Sequence, residues 1–137
     1  MIKNNAHKDA YIENQIKRSK EIKRFIWEEI DPLDDLFEMT TINSKRSGVS
    51  HYIWAGIRNK QHADRIKITN HPSKLDWNDS FVVSVEDNPK IVAGICELST
   101  KELKNVFEFV KLNKDLIIKY SNHEMDTEHF LNALKKV

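Results

Sequence analysis

Glycine is scarce in this chain, and its three copies, Gly48, Gly56 and Gly94, stand singly. No glycine-rich loop of the kind that cradles phosphates is therefore present. A single cysteine, Cys96, rules out an internal disulfide. With no cysteine pair, no His-Glu-x-x-His helix and no EF-hand loop, neither a metal site nor a bound cofactor is expected. Long apolar runs are missing too: "FVVSV" and "LII" fall far short of the roughly 18 residues needed to cross a bilayer, so no membrane partner is expected. The opening "MIKNNAHKDAYIEN" lacks the apolar core and small-residue cleavage pattern of a secretory signal. Together with the lone thiol, that leads to the expectation of a reducing, cytoplasmic compartment.

What is present is charge, and it is segregated. The chain of 137 residues is 39% hydrophobic and 31% charged, with a formal net charge of only +1. Such a length and balance fit one compact domain. Residues 1 to 42 carry 7 basic and 9 acidic side chains, residues 43 to 75 carry 7 and 1, and residues 76 to 137 carry 8 and 11. A basic segment of net +6 thus sits between two acidic ones. Within the first piece, Lys17, Arg18, Lys20, Lys23 and Arg24 give way to Glu28, Glu29, Asp31, Asp34, Asp35 and Glu38 with no base among them.

Hydrophobic period divides the chain. In "YIENQIKRSKEIKRFIWEEI" the apolar residues Ile12, Ile16, Ile22, Phe25, Ile26 and Ile30 mostly recur at helical spacing, which predicts an amphipathic helix from about residue 8 to 30, ended by "DPLDD" at Pro32. From Leu36 the period becomes two. "LFEMTTI", "VSHYIWA", "RIKIT", "SFVVSVE" and "IVAGIC" read as strands, separated by the turn-like "NSKRSG", "GIRNKQHAD", "NHPSKLDWND" and "DNPK". Ser99 and Glu102 form a capping-box pattern ahead of Leu103, Val106, Phe107 and Val110. Asn113 is placed to cap a further turn carrying Leu116, Ile117 and Tyr120, and Asp126 to cap a last helix with Phe130, Leu131 and Leu134. The expected fold is a single α+β domain: a helical N-terminal extension over 1–35, an antiparallel sheet of about five strands over 36–97, and a tail over 98–137 with two to three helices packed on one face of the sheet.

Residues 62 to 137 carry a resemblance. In "NKQHADRIKI" a turn delivers His62 ahead of Arg65, Ile66, Lys67 and Ile68, and the tail from "LSTKELKNVFEFV" onward places Phe109, Asn113, Tyr120 and Asn122 along a capped helix and a short final segment. This arrangement resembles small prokaryotic domains found beside toxin–antitoxin genes, which combine a His-Pro-Pro-His-Phe-His type strand with a helical tail. The double proline and the second and third histidines of that strand are absent from this sequence. The resemblance implies an accessory protein of a toxin–antitoxin system, while the small size, segregated charge and richness in lysine and isoleucine suit an accessory of a phage or mobile element.

The stretch "HYIWAGIRNKQHADRIKITNHPSK" concentrates three histidines and five Lys or Arg around one acid. If "RIKIT" is a strand with one solvated face, Arg65 and Lys67 project from it side by side, next to Arg58 and Lys60. Tyr52 and Trp54 would then offer stacking surfaces beside those cations, as single-strand binding requires. Non-catalytic binding of RNA or DNA through these six residues is the leading expectation. Two alternatives stand beside it. One is an inhibitor of a host defence or toxin protein, docking through the acidic Glu28, Glu29, Asp31, Asp34, Asp35 and Glu38. The other is metal-independent RNA cleavage, with His51, His62 and His71 as acid and base and the cations stabilising the phosphorane. The opposed acidic and basic segments are also expected to meet, either within one protomer or between the two copies of a homodimer.

Overall fold

The computed structural model describes residues 9–21, 36–58 and 64–137. Its elements in chain order are α1 (residues 9–21), β1 (Leu36–Ile42), α2 (Ser44–Ser47), β2 (Ile53–Arg58), β3 (Arg65–Thr69), β4 (Ser80–Ser84), β5 (Ile91–Gly94), α3 (Thr100–Ser121) and α4 (Thr127–Ala133). The five strands form one antiparallel sheet in the order β1-β2-β3-β4-β5, a meander in which each strand pairs with its sequence neighbour. The architecture is α+β, with an N-terminal helix and two C-terminal helices.

Alternation along the strands sets the core. Ile53, Ala55, Ile66, Ile68, Phe81 and Val83 share the face that meets Leu103, Val106, Phe107 and Val110 of α3. Ser99 Oγ accepts from Glu102 N at 3.2 Å and Glu102 Oε1 accepts from Ser99 N at 2.8 Å, so the capping box is formed and fixes where α3 begins. Asp126 caps α4, accepting from His129 N at 2.7 Å, and the Phe130 ring stacks on Tyr120 at 4.2 Å between centroids.

Asn113 departs from expectation. It caps nothing, because α3 runs unbroken through it. The residue is buried: its Nδ2 donates to Phe109 O at 3.1 Å and to Lys135 O at 2.9 Å, and its Oδ1 accepts from Lys135 N at 2.8 Å. A long-range partner thus takes up the side chain that local rules assign to a helix start. One connection and one strand start also differ from expectation. "SKRS" is the helical turn α2, capped by Asn43 and closed by Gly48 at φ +79°. "VSHY" is not strand: Ser47 Oγ accepts from Val49 N at 2.9 Å, and β2 starts only at Ile53.

The described part of α1 lies along the free edge of the sheet. Tyr11, Ile12, Gln15, Ile16 and Ser19 share one helical face, and Ile12 enters the core. Gln15 Oε1 accepts from Ile91 N at 2.9 Å and Ser19 Oγ accepts from Cys96 N at 3.0 Å. Unpaired donors at and just beyond edge strand β5 are therefore satisfied by helix side chains, one way to protect an edge. Ile22, Phe25, Ile26 and Ile30 of the predicted stripe lie outside the described residues.

Candidate functional site: basic residues and histidines around the sheet end

The register places Thr41, Trp54, Lys67, Val82 and Ala93 in one row across all five strands, on the face turned away from α3. Alternation in "RIKIT" is as predicted, but solvation is not. Lys67 is only 3% exposed and Trp54 7%. Trp77, carried by the β3–β4 loop, lies over this row: its ring centroid is 3.7 Å from Lys67 Nζ and 4.9 Å from Trp54 at 53°. The expectation that Lys67 projects into water beside an exposed Trp54 is corrected by this contact. An antiparallel sheet often leaves one face wet; here a ten-residue connection returns an indole onto it. Tyr52 and Arg65 are half-buried, and Arg65 shares the side of β3 that carries Lys67. The Arg58 side chain, Lys60 and His62 lie outside what is described, as do the side chains of Glu28, Glu29, Asp31, Asp34, Asp35 and Glu38.

His51 and His71 come to the same end of the sheet, just before β2 and just after β3. His51 is 2% exposed; its Nδ1 lies 3.0 Å from Ser50 Oγ and its Nε2 3.8 Å from Glu102 Oε2. Burial lowers its pKa, opposed by the nearby Glu102 carboxylate. Glu102 is held below the usual carboxylate range chiefly by its bond from the Ser99 backbone N–H. His71, by contrast, is 48% exposed and its Nε2 lies 2.8 Å from Asp79 Oδ2. Asn70 Nδ2 donates to Asp79 Oδ1 and to Ile95 O, both at 2.9 Å, while Asn70 Oδ1 accepts from Glu97 N at 2.8 Å. These contacts staple both ends of the β3–β4 loop to the segment after β5. The acid and base roles expected of the histidines need imidazoles that reach substrate, and of these two only His71 is open to solvent. Among the described residues no three His, Cys, Asp or Glu side chains converge as a metal would require. The Cys96 thiol is buried, and desolvation pushes its pKa up to about 12.

A basic cluster that the linear reading missed is assembled from two distant segments. Val137 N donates to Ser47 O at 3.0 Å, Arg46 Nη1 donates to Asn132 Oδ1 at 3.2 Å, and Asn113 grips the Lys135 backbone. The final residues therefore run beside α2, and Lys45, Arg46, Lys135 and Lys136 gather there. Lys45, Lys135 and Lys136 are exposed and Arg46 half-buried. Among the described residues no carboxylate forms an ion pair with any of the four. Gly48 makes the approach feasible, since a Cβ there would stand 2.6 Å from Val137 O. The sequence signal was the pair of short cationic motifs "SKRSG" and "LKKV", about ninety residues apart, whose meeting no local rule foretells.

Comparison of the chain with protein-family models, with curated proteins and with solved structures finds no match.

Proposed function

We propose that this protein acts by non-catalytic binding of nucleic acid or a nucleoprotein, as a small accessory protein of a mobile element, phage or toxin–antitoxin system. The observation that carries the reading is the gathering of Lys45, Arg46, Lys135 and Lys136 without a carboxylate partner among the described residues. Clustered solvated cations are the electrostatic footprint of phosphate binding. The net +6 of residues 43 to 75 supports it, and the toxin–antitoxin setting rests on the resemblance of residues 62 to 137. The partner surface moves away from Lys67 and Trp54, which are packed under Trp77.

Fluorescence anisotropy with labelled RNA and DNA, followed by gel analysis of the recovered strands, tests this. Salt-sensitive binding with intact strands is expected. No binding at low salt would overturn it, and shortened strands would return the histidines to consideration as acid and base.

A second reading is occupation of a partner protein's surface. It is favoured by Leu112 and Val137, exposed large apolar residues that line one depression with Asn105, Glu108 and Lys111. A protein that purifies free of nucleic acid and captures one defined protein would support it.

A further inference from the structure

We infer that the partner of the α2 and C-terminal cluster is the sugar–phosphate backbone of a nucleic-acid duplex, gripped without readout of the bases. This rests on the binding function proposed above and names its partner. Two observations lead to it.

The first is what the surface lacks. Sequence-independent capture of an unpaired strand combines cations with aromatic rings on which successive bases stack. Among the Trp, Tyr and Phe residues whose side chains are described, none is exposed. Trp54, Phe81, Phe107, Phe109, Tyr120 and Phe130 are buried, and Tyr11, Tyr52 and Trp77 are half-buried. Tyr11 donates its hydroxyl to Pro89 O at 2.8 Å, and Trp77 packs on Trp54 and Lys67. Apart from the half-buried Tyr52, these indole and phenyl rings are thus taken up by the fold.

The second is how the cations are held. Lys45 and Arg46 sit on a capped turn, in which Asn43 Oδ1 accepts from Arg46 N at 3.2 Å. Lys135 is fixed at its backbone by both polar atoms of the Asn113 amide, and Val137 by Ser47 O. Backbone anchoring on both sides fixes where the four cationic side chains leave the surface before any ligand arrives. Such pre-organisation suits the regular phosphate array of a duplex more than a flexible strand. Arg46 spends one donor on Asn132, and a guanidinium has others in the same plane for phosphate oxygens. Glu128 lies four residues before Asn132 on α4, and is the acid that helical spacing brings toward this surface.

The test uses the full chain with a short DNA duplex, the matching RNA duplex and one unpaired strand, each labelled, between about 50 and 200 mM salt. Four phosphate contacts on B-form DNA correspond to a slope of about −3.6 in log K against log salt, a loss of about 150-fold over that range. Duplex binding tighter than single-strand binding is expected, the DNA and RNA arms showing which helix form fits better. Lys135→Ala/Lys136→Ala and Lys45→Ala/Arg46→Ala should each cut the slope by about half. Lys90→Ala/Lys119→Ala removes two exposed cations that are not part of the cluster and should leave the slope unchanged. Circular dichroism confirms folding, and Lys135→Arg/Lys136→Arg should keep wild-type binding. Equal binding of duplex and single strand, or cluster variants that bind like wild type, would overturn this inference while the broader binding function stands. Wild type that binds neither would overturn both.

Discussion

The amide of Asn113 closes on the backbone of Lys135 from both sides, donating to its carbonyl at 2.9 Å and accepting from its N–H at 2.8 Å. One buried side chain in the middle of α3 therefore decides where the end of the chain lies. Asn113→Ala leaves those groups to water or without partners, so a destabilisation of about 1–3 kcal/mol is expected in urea titrations. Amide exchange at Lys135 should accelerate beyond the change in global stability, because the tail would be released first. Unchanged exchange at that amide would show that the clamp is not what holds the segment.

Trp77 gives a second expectation. Its ring covers Lys67 and packs on Trp54, contacts that combine cation–π attraction with apolar burial. Trp77→Ala should cost about 1–3 kcal/mol of stability and change the emission of the remaining indoles. Lys67→Glu should destabilise the fold as well, since it places a carboxylate where an ammonium is buried. Loss of nucleic-acid binding in that variant would report on folding rather than on a contact.

His51 ties stability to pH. Burial lowers its pKa below the ordinary value of 6.5, so near and below that pH the unfolded chain binds more protons than the folded one. The stabilisation of neutral His51 is then complete above about pH 6.5 and is lost as pH falls through the lower, folded value. Urea midpoints of wild type should therefore drop on acidification from pH 8 to about pH 5, more steeply than those of His51→Gln. Glu102 and His71 face the same imidazole and enter its titration. Parallel profiles for the two proteins would remove His51 as the cause.

Ser19 and Gln15 protect the outer edge of the sheet. Ser19→Ala deprives the buried Cys96 N–H of its acceptor, for an expected loss of about 1–3 kcal/mol. Gln15→Ala strips the same protection from Ile91 N–H. Hydrogen exchange at Ile91 and Cys96 measures each effect separately, and protection surviving in both variants would show that α1 does not guard this edge.

The Cys96 thiol, raised to about 12 by burial, should resist a thiol reagent at pH 8 and react fully once denaturant unfolds the chain. Reaction in the folded state at the rate of a free thiol would contradict its place in the core.

By itself the sequence marked the five strands and two of the helix starts. Period-two runs marked all five strands, "LFEMTTI" and "RIKIT" to the residue, because side-chain alternation is a local consequence of the pleat. Ser99, Glu102 and Asp126 announced two helix starts through side chains that bond within three residues of themselves. What the tertiary structure alone decided is which faces stay wet and which distant residues meet. Nothing in "RIKIT" tells whether Lys67 will find water or Trp77, since that depends on how a ten-residue loop returns over the sheet. Asn113 reads as a cap until a backbone twenty-two residues later competes for its amide. The basic cluster exists only because that clamp and the Val137 to Ser47 bond bring "SKRS" and "LKKV" together. Local patterning fixes periodicity and capping; burial and the pairing of remote charges are properties of the packed chain.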